Sequence, residues 1–165
     1  TGMDPTAFRN AMSLLGAAVS VVTSDGPPGI CGTTVTAVSS VTDTPATLLV
    51  CINRNSWANR TIRANGNLCV NVLSEADVAL ANLFAGRSSL SMEDRFAGLE
   101  RRSLATDAPL LPGVLAAFDC TVQEVVEAGT HSIFLARVED ILLGRDAGAL
   151  IYFQRRFSTL STITG

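Results

Sequence analysis

Apolar and polar residues along this chain recur mainly at the two-residue spacing of β-strands. Strands favour β-branched and apolar residues in runs bounded by Gly, Pro, Asp or Asn. Seven segments meet this description: residues 17–24, 32–42, 47–53, 67–73, 114–127, 131–144 and 149–157. Residues 47–53 read TLLVCIN and are apolar on both faces, which predicts a central strand of the sheet.

Helical spacing is confined to short segments between these strands. The first helix is expected to begin at Asp4, an N-cap, with Pro5 in its first turn and Phe8, Met12 and Leu15 on one apolar face. Further helical segments are expected at residues 53–64, where Ser56 is the candidate N-cap, at residues 74–84, capped by Ser74, and as a single turn within residues 88–96.

Strands outnumber helices, and short turns join most of the strands. A doubly wound parallel sheet would require a helix between successive strands, and this chain lacks such a regular alternation. We therefore expect a mainly β protein with peripheral helices, built as a Greek-key-like antiparallel barrel whose closure protects its apolar strand edges. No repeat, low-complexity segment or linker divides residues 1–165, so we expect a single domain.

The composition narrows the range of partners. Hydrophobic residues make up 47% of the chain and charged residues 16%, which is consistent with a buried subunit interface. The net charge is −3 with arginines interspersed among the acids, whereas a nucleic-acid-binding protein would present a basic stripe. No apolar run reaches the roughly 18 residues of a membrane span, and the start TGMDPTAF lacks the pattern of a signal peptide. We expect a cytoplasmic protein that contacts neither nucleic acid nor membrane.

The usual motifs of metal, nucleotide and hydrolase sites do not occur. The four cysteines are widely spaced and the chain has one histidine, so no metal site is expected and the cysteines are interpreted as buried apolar residues. The segment GPPGICG leads into a strand instead of a helix, and is therefore not a dinucleotide-binding fingerprint. Glu124, Glu127 and Asp140 lie near predicted strand ends and are expected to be solvated.

Residues 32–45, GTTVTAVSSVTDTP, are unusually rich in hydroxyl side chains for a strand. The next strand ends in the polar cluster 53–56, Asn-Arg-Asn-Ser, at an expected helix start. Hydroxyls, backbone amides and a helix N-terminus suit a bound phosphate, to which Arg54, Arg60 or Arg87 would add charge. The residues alone leave open the alternative of ordinary turn and capping chemistry.

His131 is the only histidine, and it follows Gly129 and Thr130 at an expected strand start. A single histidine in such a position is either a surface or structural residue, or a hydrogen-bond donor to a ligand in a pocket. Its position in the sequence supports both interpretations.

Segments distributed over the whole chain resemble the small flavin reductases, the reductase components of two-component flavin monooxygenases. They are FRNAM, GAAVSVVTSDG, GTTVTAVSSVTDTPATLLVCINRNS, NLCVNVL, NLFAG, DRF, FDCTVQEV, GTHSI and LIYFQRRF, and they extend from Phe8 to about Leu160. The segments SSVTDTPATLLVCINR, FDC and GTH are most similar to the pyrimidine-degradation members of the family. Corrinoid reductases of cobalamin synthesis are similar as well.

The resemblance implies an FMN-binding split β-barrel that forms a homodimer. It implies an NAD(P)H-dependent flavin reductase, in which hydride passes from NADH or NADPH to FMN or FAD and reduced flavin is supplied to a partner monooxygenase. Three alternatives stay open: a corrinoid reductase with bound flavin, a flavin-binding module without catalysis, and a barrel that binds no flavin.

The resemblance also implies the site residues. Those expected at the isoalloxazine edge are Thr34, Val35 and Thr36, and those expected at the ribityl chain and phosphate are Ser40, Val41 and Thr42. Those expected near the phosphate are Asn53, Ser56, Phe84, Ala85, Gly86 and Arg87. The family's Gly-Asp-His motif becomes Gly129-Thr130-His131, and His131 is the expected catalytic residue, in contact with the nicotinamide. The change from Asp to Thr leaves no acid in that motif.

Overall fold

The computed structural model describes residues 2–86 and 88–164, and it confirms a mainly antiparallel β fold with peripheral helices. The described residues form ten strands: β1 Ala17–Ala18, β2 Ser20–Ser24, β3 Cys31–Val35, β4 Val38–Asp43, β5 Ala46–Asn53, β6 Asn67–Val72, β7 Ala116–Ala128, β8 His131–Leu143, β9 Ile151–Phe153 and β10 Arg156–Ser158. Their helices are α1 Pro5–Met12, α2 Trp57–Asn65, α3 Val78–Leu83 and α4 Met92–Phe96. None of these four helices has the length and apolar character that crossing a bilayer requires.

Seven strands form one continuous antiparallel sheet in the order β3-β2-β6-β7-β8-β5-β4. Its two end strands, β3 and β4, are joined by only Thr36 and Ala37, so the sheet curls into a barrel that is split between them. At the split, the backbone N–H of Val38 donates to the Thr36 carbonyl at 3.0 Å, and that of Cys51 donates to the Ala37 carbonyl at 3.1 Å. A separate three-stranded sheet has the order β1-β9-β10.

Three segments that were predicted as single strands are broken in the structure. One of them, residues 149–157, divides into β9 and β10 at Gln154 and Arg155. Residues 32–42 divide into β3 and β4 because the chain bends at Thr36 and Ala37. Residues 17–24 divide at Val19, whose N–H donates to Leu150 and whose carbonyl accepts from Leu73, both at 3.0 Å. As a result β1 joins the small sheet and β2 the large one. None of the three breaks carries the Gly or Pro that would indicate it in the sequence.

The prediction that residues 47–53 form a central strand is wrong. They lie in β5, second from one end of the sheet, between β8 and β4. Leu48, Val50 and Ile52 are buried in the core, whereas Leu49 and Cys51 on the other face are only half-buried. A strand that is apolar on both faces therefore need not lie at the centre of its sheet.

Side-chain caps determine where the helices begin. Asp4 and Ser56 each accept a hydrogen bond from a backbone N–H of the following helix at 3.1 Å, which confirms both predicted N-caps. The expected cap at Ser74 is wrong, because Asp77 accepts from the Ser74 backbone N–H at 2.8 Å and from its hydroxyl at 2.9 Å. These bonds hold residues 74–77 in a turn, so α3 begins only at Val78.

The core packs closely against β3 at Gly32. The rings of Phe84 and Phe96 are 1% and 2% exposed, and their centroids lie 4.9 Å apart. A Cβ atom at position 32 would lie 2.7 Å from the Phe84 ring and 3.2 Å from the Phe96 ring. Glycine is therefore required there for β3 to approach this aromatic pair.

Three of the four cysteines are buried free thiols, as expected for apolar residues within strands. Loss of solvation on burial raises the pKa of Cys31 to about 12 and that of Cys120 to about 12, and it also raises the pKa of Cys69. Cys51 is half-buried, and burial raises its pKa as well. All four side chains are therefore protonated near neutral pH and are poor nucleophiles.

Candidate functional site

The split in the barrel opens onto two adjoining cavities, which we call the groove. The first, of about 430 Å³, is lined by the end of β3, by the chain after α3 and by the β9–β10 hairpin; its lining includes Thr34, Val35, Thr36, Ala85, Tyr152 and Arg155. The second, of about 450 Å³, shares Thr36, Tyr152 and Arg155 with the first and extends along α1. Volumes of roughly 300–1,000 Å³ are typical of sites for small molecules.

Thr34 fixes the β3 wall of the groove to α3. Its hydroxyl donates to the Ala81 carbonyl at 2.6 Å, and its backbone N–H donates to the Phe84 carbonyl at 3.0 Å. The hydroxyl and the backbone N–H of Thr34 already donate these two hydrogen bonds. Towards a ligand, its hydroxyl oxygen can therefore only accept a hydrogen bond. Val35 is half-buried and Thr36 is exposed, so these two residues supply most of the accessible surface of this wall.

The segment after α3 contributes backbone and small side chains. The ring of Phe84 is buried against Phe96, so only its backbone is near the groove, whereas Ala85 lines the first cavity. Gly86 adopts a φ of 81°, a left-handed conformation that favours glycine. Arg87, the last of the predicted phosphate residues, lies outside the described residues.

Asn53, Ser56 and His131 come together at the open end of β5. Asn53 pairs with His131 in the β5–β8 ladder, and the Ser56 hydroxyl donates to the Asn53 carbonyl at 2.9 Å. His131 Nδ1 lies 2.8 Å from the hydroxyl oxygen of Thr130. If Thr130 donates this hydrogen bond, the other ring nitrogen, Nε2, carries the proton and is free to donate to a ligand.

Glu127 holds the turn that carries His131. Its carboxylate lies 2.9 Å from Arg54 Nε and 2.6 Å from Arg63 Nη2, and it accepts a hydrogen bond from Ser132 at 2.9 Å. Glu127 is exposed to solvent, as predicted, and it also forms two ion pairs that the sequence did not indicate. Hydrogen bonds from Arg63 and Ser132, together with the charges of Arg63 and Arg54, lower the pKa of Glu127.

Arg54 extends this network to the neighbouring turn. Its backbone N–H donates to the Thr130 carbonyl at 2.9 Å, and its guanidinium donates to the Gly129 carbonyl at 3.0 Å. The loop that carries Asn53 and the turn that carries His131 are therefore joined by one arginine. We call Arg54, Arg63, Glu127 and Ser132 the Glu127 clamp.

The predicted residues Ser40, Val41 and Thr42 are placed differently. All three are exposed on β4, and in the described part of the chain they line neither cavity of the groove. Ser40 pairs with Leu48, which is five residues from Asn53 along β5, or roughly 16 Å at the usual rise of a strand. A role for these three residues in flavin binding stays a prediction.

The backbone connects the groove to the Asn53–His131 cluster. The hydrogen bond from Cys51 to the Ala37 carbonyl places the bend after Thr36 beside β5, two residues before Asn53. Thr34, Val35 and Thr36 line the groove, whereas Asn53, Ser56 and His131 line neither of its two cavities. Tertiary structure thus brings together residues from five separate segments of the chain.

The sequence did not indicate the β9–β10 hairpin as part of the site. Tyr152, Arg155 and Arg156 line the first cavity, and the turn between the strands consists of Gln154 and Arg155, with φ values of 52° and 58°. The available signal was the arginine pair in LIYFQRRF, which was interpreted only as the end of a strand. Positive φ at both residues is the geometry of a two-residue hairpin turn, in which Asn and Gly are the usual residues.

The fold and the groove define a class: a split antiparallel barrel whose site, lined by hydroxyl, apolar and arginine side chains, suits a phosphorylated ring compound. Residues 12–161 match the family model described as the flavin reductase like domain. The chain therefore belongs to the flavin reductase family.

Individual relatives match nearly the whole chain. It is 49% identical over 155 residues to FMN reductase (NADH) RutF of Cronobacter sakazakii, a match that covers 94% of this chain and 92% of that protein. It is 51% identical over 154 residues to the 4-hydroxyphenylacetate 3-monooxygenase reductase component of Pseudomonas aeruginosa, covering 93% of this chain and 91% of that protein.

Solved structures of flavin reductases have the same fold. Flavin reductase PheA2 in its native state superposes with a TM-score of 0.87 at 28% identity, covering 97% of this chain and 100% of that one. BorF, the flavin reductase component of a bacterial two-component tryptophan halogenase, has a TM-score of 0.86 at 28% identity with the same coverage.

Proposed function

We propose that this chain is an NADH-dependent flavin reductase that reduces FMN and supplies the reduced flavin to a partner monooxygenase. The observation that carries the proposal is the groove at the split of a flavin-reductase-family barrel, lined by the predicted residues Thr34, Val35 and Thr36. The names of the two relatives support FMN, NADH and a monooxygenase partner.

The chemistry of the groove fits a flavin. Val35, Ala85 and Tyr152 offer apolar surface to a ring system, while Thr36 and the backbone of β3 offer polar groups to its edge. Arg155 and Arg156 offer charge to a phosphate. A bound flavin supplies the hydride acceptor of the reaction, so the protein has to bind and orient the two co-substrates and needs no general base of its own.

The roles proposed for the site residues are those that the family resemblance implies, and the lining of the groove by Thr34, Val35, Thr36 and Ala85 supports them in part. Thr34, Val35 and Thr36 hold the ring edge, and the backbone of Phe84, Ala85 and Gly86 approaches the flavin from the opposite wall. Asn53, Ser56, Ser40, Val41, Thr42 and Arg87 are proposed as phosphate contacts on the family resemblance alone. His131 donates a hydrogen bond from Nε2 to the nicotinamide amide, because Thr130 occupies its Nδ1.

The active form is proposed to be a homodimer. None of the eight residues of α1, all within the described chain, is buried, although Phe8 is 58% exposed and Met12 46% exposed. Leu15, just after the helix, is 61% exposed. A second copy of the chain is the occupant that best fits this surface, because exposed apolar side chains along one helix are stabilised when a partner covers them.

The decisive experiment follows NADH oxidation by the purified protein with FMN, FAD or riboflavin as acceptor. We expect rapid oxidation that depends on added flavin, with FMN preferred. A chain that binds flavin without oxidising NADH would be a flavin-binding module, and one that shows no quenching of flavin fluorescence would bind no flavin. A faster reaction with a corrinoid acceptor than with free FMN would favour the corrinoid reductases.

A further inference from the structure

Arg95 is the one buried arginine in residues 2–86 and 88–164, with an exposed fraction of 9%. The ion pairs found in that part of the chain involve other arginines, all of them about half exposed. Arg95 Nε donates to the Leu90 carbonyl at 3.1 Å, and Nη2 donates to the Ser88 carbonyl at 3.0 Å. The positive charge of Arg95 is therefore held by neutral backbone acceptors of a single loop.

Arg95 is a costly residue to bury. Removing a guanidinium from water costs free energy that neutral carbonyls offset only in part, and an apolar side chain of similar size often fills such a position without loss of stability. An apolar side chain cannot hold two carbonyls at a fixed spacing, whereas the planar donor group of arginine is suited to it. The contacts of Arg95 thus indicate that it contributes the conformation of residues 88–90.

The loop at residues 88–90 follows closely after a wall of the groove, because Ala85 lines the first cavity. Immediately before Ala85, the buried ring of Phe84 packs against the ring of Phe96, with centroids 4.9 Å apart. Phe96 is the residue next to Arg95 in α4. Two adjacent side chains of α4 therefore anchor the chain on both sides of Ala85.

We propose that Arg95 is a positioning residue for flavin binding. Its side chain lines neither cavity of the groove, and it acts by holding the carbonyls of Ser88 and Leu90. These bonds restrict the backbone at Ala85 and Gly86 to the conformation that receives the flavin. Without them, flavin binding would have to order this segment, at a cost in affinity. The role of Arg95 rests on the proposed function for the identity of the ligand.

The test compares Arg95→Lys with Ser91→Ala. Lysine keeps the charge, but its single ammonium group lacks the spaced donors that hold both carbonyls. Ser91 is the N-cap of α4 and accepts from the Asp94 N–H at 3.1 Å, so Ser91→Ala loosens the same helix and leaves the side-chain bonds of Arg95 in place. Quenching of flavin fluorescence gives the dissociation constant for FMN, a titration at saturating FMN gives the KM for NADH, and urea unfolding gives the stability of each variant.

We expect Arg95→Lys to weaken FMN binding roughly tenfold and to leave the KM for NADH within about twofold of its original value, because only the flavin wall is loosened. Ser91→Ala should lower the urea midpoint and leave FMN affinity unchanged. Unchanged FMN affinity in Arg95→Lys would overturn the proposal. Losses of FMN affinity that merely follow the urea midpoint in both variants would overturn it as well, since they would mean a purely structural role.

Hydrogen exchange on the unaltered chain keeps the test independent of variant folding. Addition of FMN should slow amide exchange in the peptide that spans residues 84–91, and exchange that FMN leaves unchanged there would contradict the proposal. Flavin affinity and NADH oxidation also separate the role of Arg95 from the proposed function. If the chain binds FMN, loses affinity in Arg95→Lys and oxidises no NADH, the proposed function is disproved and the role of Arg95 stands. Rapid NADH oxidation with unchanged FMN affinity in Arg95→Lys would give the reverse result.

Discussion

At the scale of single residues, Glu127 shows how one carboxylate organises a site that it does not touch. It joins Arg54, Arg63 and Ser132, and Arg54 in turn bonds the carbonyls of Gly129 and Thr130. The position of His131 beside Asn53 therefore depends on a charge that lies four residues before it in the chain. Exposed ion pairs usually contribute little to stability. The two ion pairs of Glu127 instead hold the turn before His131 in place.

Glu127→Gln should raise the KM for NADH roughly three- to tenfold while changing FMN affinity less, because His131 loses its fixed orientation. Steady-state kinetics with both co-substrates measure this difference. Glu124→Gln, an exposed position on the same strand, is the matched control. Equal kinetics of the two variants would show that the clamp does not position His131.

The same variant has a signature in pH-dependent stability. The pKa of Glu127 is lowered below its ordinary value of 4.5 in the folded chain. Its stabilising effect is therefore present above the unfolded-state pKa and is lost as the pH falls through the lowered folded-state pKa. Urea unfolding should show a gap between the native chain and Glu127→Gln at neutral pH that closes on acidification. A gap that persists at low pH would mean that the charge of Glu127 is not its cause.

His131→Ala should raise the KM for the nicotinamide roughly three- to tenfold with a smaller effect on FMN affinity, since one hydrogen bond to the nicotinamide is removed. The measurement is a steady-state titration of NADH at saturating FMN. Wild-type kinetics in this variant would remove His131 from the site.

Ser40→Ala tests a predicted phosphate contact on β4 that lines neither cavity of the groove. If Ser40 binds the flavin phosphate, FMN affinity falls roughly threefold to tenfold while riboflavin affinity is unchanged. Fluorescence titration measures both. Unchanged FMN affinity would mean that the exposed side of β4 takes no part in binding.

At the scale of secondary-structure elements, β3 forms one wall of the groove and also packs closely against the rings of Phe84 and Phe96. Gly32→Ala should destabilise the fold by about 1–3 kcal/mol, because the added methyl group would overlap the Phe84 ring. Urea unfolding measures the change. In the control Gly16→Ala the new Cβ would lie 3.7 Å from Ile151, an ordinary contact, and a loss as large as that of Gly32→Ala would refute the packing argument.

The positions of most elements could be predicted from the sequence, and their interruptions could not. Runs such as HSIFLARVEDILL form strands because their composition and alternation suit a sheet with one face in the core. The bend at Ala37 exists because its carbonyl accepts a hydrogen bond from Cys51 on another strand. No local signal encodes such a bond, and the hydroxyl-rich segment was therefore predicted as one strand.

At the scale of the whole molecule, the exposed apolar residues of α1 make the homodimer testable. Phe8→Glu should shift the chain toward monomer, because a charge would be buried at the proposed interface. Sedimentation velocity over a range of concentrations measures the mass. Thr6→Glu adds the same charge on an adjoining part of α1 without removing an apolar contact. A chain that is monomeric before any substitution, or a dimer unaffected by Phe8→Glu, would contradict the proposed interface.

The candidate site was predictable only in part. Thr34, Val35 and Thr36 were predicted through the family resemblance, and the structure places all three in the groove. Arg155 and Arg156 were not predicted as site residues, because about 120 residues separate them from β3 and only the pairing of β9 with β1 and β10 brings them near it. Contacts between distant segments leave no periodicity in a sequence.

The sequence by itself determined the class of fold and the chemistry at hand: apolar alternation specifies antiparallel strands, and the hydroxyl-rich segment, the arginines and the histidine supply groups that suit a polar ligand. Tertiary structure decided where the barrel splits and which hydroxyls line the groove. It also decided that Glu127 holds the turn before His131. The physical reason is that burial and alternation act between near neighbours, whereas the groove and the Glu127 clamp arise from hydrogen bonds and charges that meet only after the chain has folded.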